Sequence, residues 1–405
     1  MKISHRAVAI QESPIRKLAP LAQAARGRGV RIFHLNIGQP DVPTPPEFLR
    51  AVCGFSDPVL EYGPSDGLPE LRAAMCEYFQ RYEISLSPSE ILITNGGSEA
   101  ILFAFTAVAD HGEEIIIPEP FYTNYNGYAE MAGLRIVPVR THAEEGFHLP
   151  SDETLSEALS PRTRAVLICS PNNPTGTVLS WEELERLARF VERHDLFLIA
   201  DEVYKEFTYE GRRHRSVLEL TGIERRVIVV DSISKRFSAC GARVGAVISR
   251  NREVIASVLK FGQARLCPPT LEQLGAVAAY RLPESYFDGV RTEYQRRRDV
   301  TYDALTAHPG IVLRRPQGAF YMIVKMAGIV DSDDFAAWML ADFELGGETV
   351  MVAPAGGFYA TSGAGKDEVR MAYVLGVDKL RRAMEVFLAG LERYRALRSP
   401  AAGVA

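Results

Sequence analysis

The sequence predicts an α/β protein with a large domain, built on a mostly parallel central sheet flanked by helices, and a smaller α+β domain. Three observations lead there. Short β-branched runs recur at Ile91–Thr94, Ile115–Ile117, Ala165–Cys169, Leu196–Ala200 and Val227–Val230; they are apolar at successive positions, as strands buried on both faces of a parallel sheet must be. Between two of them lies a helix in which Ser180 and Glu183 form a capping box and Trp181, Leu184, Leu187 and Val191 recur at helical spacing. Strand, capped helix, strand is a βαβ crossover, right-handed by the general rule. Past about residue 285 the alternation gives way to a different mixture of helices and strands.

In chain order, Ser13 caps a helix that opens with Pro14 and ends near Gly27, a segment expected to pack on the small domain or across a dimer. The large domain is placed at residues 46–285, with a helix over Ser98–Ala109 among its elements. The small domain combines residues 1–45 with 286–405. It begins with the Arg-rich amphipathic stretch from Tyr286 to Leu305 and a strand over Ala319–Val324. A helix carrying Phe335, Trp338, Met339 and Leu340 follows, then strands over Val350–Ala353 and Val369–Val374. A last helix presents Leu380, Met384, Phe387, Leu388, Leu391 and Tyr394, and the tail from Ser399 to Ala405 reads as loose.

Composition narrows the function. At roughly 150 residues per domain, 405 residues exceed a single module, and 47% hydrophobic with 24% charged is an ordinary soluble balance. A net charge of −5 without a basic block disfavours nucleic acid and anionic membranes as partners. No apolar run reaches the ~20 residues of a membrane helix, and the first residues lack the apolar core of a signal peptide. Five scattered cysteines without a CxxC pair suit a reducing compartment, so a cytoplasmic location is expected. The eight histidines show no ligand spacing, and neither GxGxxG nor GxxxxGK[ST] occurs.

The chemistry lies after the strands. Asn95-Gly96-Gly97-Ser98-Glu99, the segment from Pro118 to Tyr125, Ser170-Pro171-Asn172-Asn173-Pro174-Thr175-Gly176, Asp201-Glu202-Val203-Tyr204 and Asp231-Ser232-Ile233-Ser234-Lys235 each follow one. Open α/β sheets bind ligands just beyond the carboxyl ends of their strands. A lysine placed directly after a buried strand is a poor surface charge; burial lowers the pKa of an amine and makes it a nucleophile able to form a Schiff base. Arg243 and the hydroxyls beside it suit a phosphate. Gly97-Ser98-Glu99 opens a helix whose N–H groups form an anion site.

The segment from Ser232 to Gly245 resembles the lysine signature of the class I/II aminotransferases, the fold-type-I pyridoxal phosphate (PLP) enzymes related to aspartate aminotransferase. The other segments follow that family's order from residue 36 to residue 373. The resemblance implies the PLP-dependent transferase fold type I and a ping-pong aminotransferase, with Lys235 holding PLP and carrying the proton. Asp201 resembles the carboxylate that keeps the pyridine nitrogen protonated, and Tyr204 and Asn173 the pair on the phenolate oxygen. Gly97, Ser98, Glu99, Ser232 and Arg243 fall at phosphate-binding positions. Tyr62 resembles the tyrosine that reaches the phosphate from the partner subunit, which implies a homodimer with shared active sites. Tyr122 resembles the aromatic stacked on the ring, with Phe121 the competing assignment. Arg370 resembles the arginine that grips the substrate α-carboxylate bidentately, Asn173 also lies beside substrate, and Gly38 lets the carboxylate approach the backbone.

Where specificity is decided the pattern departs. The family's partner-subunit arginine for the distal carboxylate has no clean counterpart; Arg265 lies in that region at a different offset from the prolines, and it either binds a side-chain carboxylate or pairs with a surface acid. Aspartate or glutamate with 2-oxoglutarate is the expected substrate pair. The alternatives are an aromatic or prephenate-type donor, or another PLP reaction on the same scaffold such as C–S lysis, decarboxylation or oxidation.

Overall fold

The computed structural model describes residues 1–398; the tail from Ser399 onward, expected to be loose, lies outside them. In chain order the strands are β1 (Arg31–His34), β2 (Ile91–Thr94), β3 (Glu114–Glu119), β4 (Arg135–Arg140), β5 (Thr163–Cys169), β6 (Phe197–Asp201), β7 (Val227–Ser232) and β8 (Gly245–Ile248). After them come β9 (Ile311–Val312), β10 (Tyr321–Met326), β11 (Glu348–Met351), β12 (Ala353–Pro354) and β13 (Glu368–Ala372).

Seven strands form one sheet in the order β2-β8-β7-β6-β5-β3-β4. The pairs β3·β4, β3·β5, β5·β6 and β6·β7 are parallel, while β8 runs antiparallel between β7 and β2. Neighbouring side chains on each strand enter different cores. Ile91, Ile93, Ile116, Val166, Ile168 and Leu198 face one apolar cluster, and Leu92, Ile115, Ile117, Leu167 and Ile199 face the other. That period of two, apolar on both sides, is why the runs are continuous in sequence. The crossover helix forms over Trp181–Arg193 with both halves of the Ser180–Glu183 capping box in place.

The remaining strands make a four-stranded antiparallel sheet, β12-β13-β10-β9, and a two-stranded parallel pair of β1 with β11. The pairing of β1 with β11 ties the N-terminal segment to the C-terminal part. Helices Glu284–Thr306, Ser332–Ala341 and Val377–Arg398 cover these strands around a core that includes Phe335, Met339, Leu380, Phe387 and Tyr394. The first of these helices begins at Glu284, so it crosses the boundary expected at 285/286.

Several local expectations shift. The first long helix spans Ala19–Gly27, not Pro14 to Gly27. Pro20 has no N–H to give the carbonyl of Arg16, and its ring would collide with that carbonyl in a continuous helix. Residues 14–18 instead form turns, with Arg16 and Lys17 N–H both donating to Ser13 O at 3.0 and 3.1 Å. A short helix over His5–Ala9, capped by Ser4, precedes them. Helix Gly96–Val108 starts two residues earlier than expected, and β10 starts two residues later because Ala319 has a positive φ of 54°. Among the described residues no helix is long and apolar enough to cross a membrane.

Candidate active site

The strands β2, β3, β5, β6 and β7 all end at the same rim of the large sheet, and the chain leaves each end into one cavity of about 490 Å³. Its walls include Gly38, Gly97, Ser98, Tyr122, Asn173, Asp201, Tyr204, Ser232, Lys235, Arg243 and Arg370, side by side with Tyr321 from β10. A volume of this order suits a small ligand with a cofactor.

Asp201 is the last residue of β6 and is 6% exposed. Tyr125 Oη donates to its Oδ2 at 2.7 Å and Val203 N–H to its Oδ1 at 3.3 Å. Burial pushes its carboxyl up to about 6, against the lowering effect of those two hydrogen bonds and of Lys235. Both hydrogen-bond partners are neutral, so this buried carboxylate faces the cavity without a bonded cation.

Lys235 sits in the single-turn helix Ile233–Arg236 immediately after β7, capped by the Ser232 hydroxyl. Its Nζ donates to Gly38 O at 2.9 Å. Gly38 is required there for a steric reason: a Cβ would fall 1.7 Å from Tyr321 Oη. Tyr321 Oη lies 2.9 Å from Tyr204 Oη, which accepts from Asn173 Nδ2 at 3.5 Å. Burial holds the Tyr204 hydroxyl well above its ordinary pKa, so it remains a donor.

One end of the cavity is a cradle of bare backbone. A Cβ on Gly245 would lie 2.5 Å from the Gly96 carbonyl carbon, and one on Gly96, whose φ is +77°, would lie 2.3 Å from an Arg243 guanidinium nitrogen. Only glycine permits that approach. Arg243 Nη1 donates to Cys240 O at 2.8 Å, while Ser98 in the first turn of its helix and Ser232 complete the wall.

Arg370, on β13, is 1% exposed. Nη1 donates to Asn173 Oδ1 at 3.1 Å and Nη2 to Asn36 O, and the centre of the Tyr321 ring lies 4.6 Å from its guanidinium carbon. Its Nε is buried without a hydrogen-bond partner. Arg370 therefore points into the protein and not to solvent.

Three expected residues lie elsewhere. Glu99 turns back on its own helix start, accepting from Asn95 N–H at 2.8 Å, and does not line the cavity. Arg265 pairs with Glu99 at 3.4 Å, donates to Ser65 O and Ile93 O, and does not line the cavity of its own chain. Tyr62 is 80% exposed and outside the cavity of its own chain. Of the two neighbouring aromatics, Tyr122 lines the cavity, while Phe121 is buried in the apolar cluster behind it. Sequence reasoning missed Tyr125, Tyr321, Asn36 and Ser234. Tyr125 had a signal, since it lies one helical turn beyond Tyr122 in the same polar segment.

The sequence profile of aminotransferase class I and II matches residues 30–387. The aspartate aminotransferase of Geobacillus stearothermophilus is 30% identical over 95% of this chain and 98% of its own length. The aromatic-amino-acid aminotransferase 2 of Thermococcus litoralis is 34% identical over 95% and 97%, and the aspartate/prephenate aminotransferase of Thermus thermophilus 33% over 96% and 99%. Among solved structures, the aspartate aminotransferase from Thermus thermophilus with maleate matches with a TM-score of 0.85 at 33% identity, covering 96% of this chain and 100% of that one.

Proposed function

The chain belongs to the class I and II aminotransferases, and from that premise we propose that it moves the amino group of aspartate or glutamate to a 2-oxo acid such as 2-oxoglutarate, using PLP, as a homodimer. The residues present fit that cofactor. The buried carboxylate of Asp201 lacks a bonded cation and would hold a protonated ring nitrogen. The glycine cradle, Ser98, Ser232 and Arg243 would take the phosphate, Tyr122 would cover the ring, and Asn173 and Tyr204 would donate to its phenolic oxygen. When bound, PLP supplies an electron sink for the bonds at the substrate Cα.

The chain's own part is to bind, orient and carry a proton. Arg370 would take the α-carboxylate, its planar fork already fixed by Asn36, Asn173 and the Tyr321 ring, so little freedom is lost on binding. Lys235, once its Nζ leaves the Gly38 carbonyl, would receive the Cα proton on that nitrogen and give it up again within the same cavity. Asp201, drawn toward its charged form by a cation beside it, would stabilise positive charge throughout.

The observation that carries the reading is the convergence, in one cavity, of a buried carboxylate without a bonded cation, a lysine amine and a buried arginine with an unpartnered Nε. Incubating the holoenzyme with aspartate or glutamate alone tests it. The expected outcome is a change in cofactor absorbance with one equivalent of the matching 2-oxo acid released per site. Release of ammonia or carbon dioxide, or consumption of oxygen, would place the chain in another PLP reaction class.

A further inference from the structure

We propose that Glu119 is a positioning residue for substrate binding: it ties the end of β3 to the segment from Phe358 to Thr361 and so sets the Phe358 ring against Arg370. This rests on the reading above in which Arg370 takes the α-carboxylate. Glu119 is the last residue of β3 in the seven-stranded sheet and is fully buried. The segment it holds connects β12 to β13 in the four-stranded sheet.

Three bonds cross between the two. Glu119 Oε2 accepts from Ala360 N–H at 2.8 Å and from Thr361 N–H at 3.1 Å, and Phe121 N–H donates to Phe358 O at 2.9 Å. The strand end is itself fixed, because Thr141, just past β4, gives both its N–H and its hydroxyl to Glu119 O at 3.0 and 2.8 Å. The connecting segment has less to hold it. Beyond one short turn over Ala355–Phe358 it is irregular, and Gly356, Gly357, Ala360, Gly363, Ala364 and Gly365 offer little side chain to pack. Its backbone donors must be satisfied from outside, and Glu119 satisfies two of them with one oxygen.

What the segment brings to the site is Phe358. The centre of its fully buried ring lies 4.8 Å from the Arg370 guanidinium carbon, beside the Tyr321 ring at 4.6 Å. Both rings attract the cation and stiffen its fork. Tyr321 is placed by β10, which pairs directly with β13, whereas Phe358 depends on the bonds to the end of β3. Tyr122, which would cover the cofactor ring, follows three residues after Glu119, so the same contact sets the substrate's anchor relative to the cofactor.

Holding a loop does not by itself call for a carboxylate. Glu119 Oε1 is buried without a hydrogen-bond partner, so a charge is desolvated to accept two N–H groups that a neutral oxygen could also take. What the charge adds is a firmer grip, since each bond is charge-assisted.

The test measures kcat and KM of the holoenzymes for aspartate, glutamate and phenylalanine in Glu119→Gln, Glu119→Leu, Phe358→Leu and the double variant Glu119→Gln/Phe358→Leu. Cofactor absorbance and the urea midpoint report loading and folding, and the isosteric Glu119→Gln keeps the test open should Glu119→Leu fail to fold. KM is expected to rise about threefold in Glu119→Gln and about tenfold in Glu119→Leu, within the ~2- to 30-fold range of contacts that act through a neighbour. The rise is the same for every donor accepted, because all carry the α-carboxylate, while kcat changes by less than about twofold and cofactor absorbance stays as in the wild type. Once Phe358 is leucine, Glu119→Gln adds no further rise. A wild-type KM in Glu119→Gln, a rise confined to one donor, a kcat that falls as far as KM rises, or an equal effect of Glu119→Gln with and without Phe358 overturns the proposal. A wild-type KM in Arg370→Lys defeats instead the reading of Arg370, and the proposal falls with it.

Discussion

Replacing Asp201 by asparagine should stabilise the cofactor-free protein at high pH and abolish its activity. The folded chain raises the Asp201 carboxyl from 3.8 to about 6, chiefly by burial. A raised carboxyl pKa means that the folded state binds the proton more tightly than the unfolded state. Between 3.8 and about 6 the native chain therefore carries more protons, and stability falls as pH rises through that window. Two pH units at ~1.4 kcal/mol each make roughly 3 kcal/mol of destabilisation, fully present above pH 6. The amide introduced by Asp201→Asn is neutral throughout and still accepts from Tyr125 Oη, although it loses about 1 kcal/mol of hydrogen bonding at the Val203 N–H. That loss does not depend on pH, so the informative quantity is the change between two pH values. Urea unfolding at pH 8 and pH 4.5 should show the advantage of Asp201→Asn shrinking by about 2 kcal/mol at the lower pH. A difference that stays constant between the two would show that the site does not hold its carboxylate at a cost, and the account of Asp201 as a group waiting for a cation would fail.

Two further substitutions test the neighbouring contacts. Arg370→Lys removes the planar fork between Asn36 and Asn173 and should lower kcat/KM for every amino donor by about 100- to 1000-fold, the loss of a bidentate contact; steady-state kinetics showing less than a tenfold loss would contradict the assignment. Gly38→Ala places a methyl 1.7 Å from Tyr321 Oη, so Tyr321 must leave Tyr204. A destabilisation of about 1–3 kcal/mol is expected, together with a lower kcat, and wild-type urea midpoint and turnover would refute it.

The large sheet was legible because burial on both faces leaves a simple trace, continuous β-branched runs of strand length, and because the Ser180–Glu183 capping box marks its helix. Strands β4 and β8 left weaker traces. Arg135–Arg140 is an edge strand that is exposed at both ends, and Gly245–Ile248 continues a segment whose chemistry is more conspicuous than its strand pattern. At the site, most residues that follow a strand in sequence were found, Tyr125 and Ser234 excepted, since β2, β3, β5, β6 and β7 all end at one rim. Tyr321, Asn36 and Arg16 reach the cavity from the other sheets and from the N-terminal turn. No local pattern signals a contact that tertiary packing alone creates. Proline placement was misread: Pro20, not Pro14, decides where the first long helix begins.

A second polar layer beneath the cavity explains why so short a helix can hold Lys235 in place. Arg236, the next residue, is fully buried and its guanidinium bonds the Asp231 carboxylate, at the other end of the same strand-to-helix turn. Tyr286 Oη donates to Arg236 O at 3.1 Å, and Lys205 Nζ lies 3.8 Å from Asp231 and 3.5 Å from the centre of the Phe79 ring. Burial pushes Lys205 down to about 8 while Asp231 holds it up. A buried pair of this kind adds little net stability, since desolvation offsets attraction, but breaking one side costs about 3–5 kcal/mol. Its effect is therefore to make any displacement of Ile233–Arg236 expensive. Four residues with one turn of hydrogen bonds could not resist displacement alone. Anchored through Arg236, the turn presents Lys235 Nζ to Gly38 on one side and Asp201 across the cavity, while the lysine side chain itself keeps the freedom to move a proton.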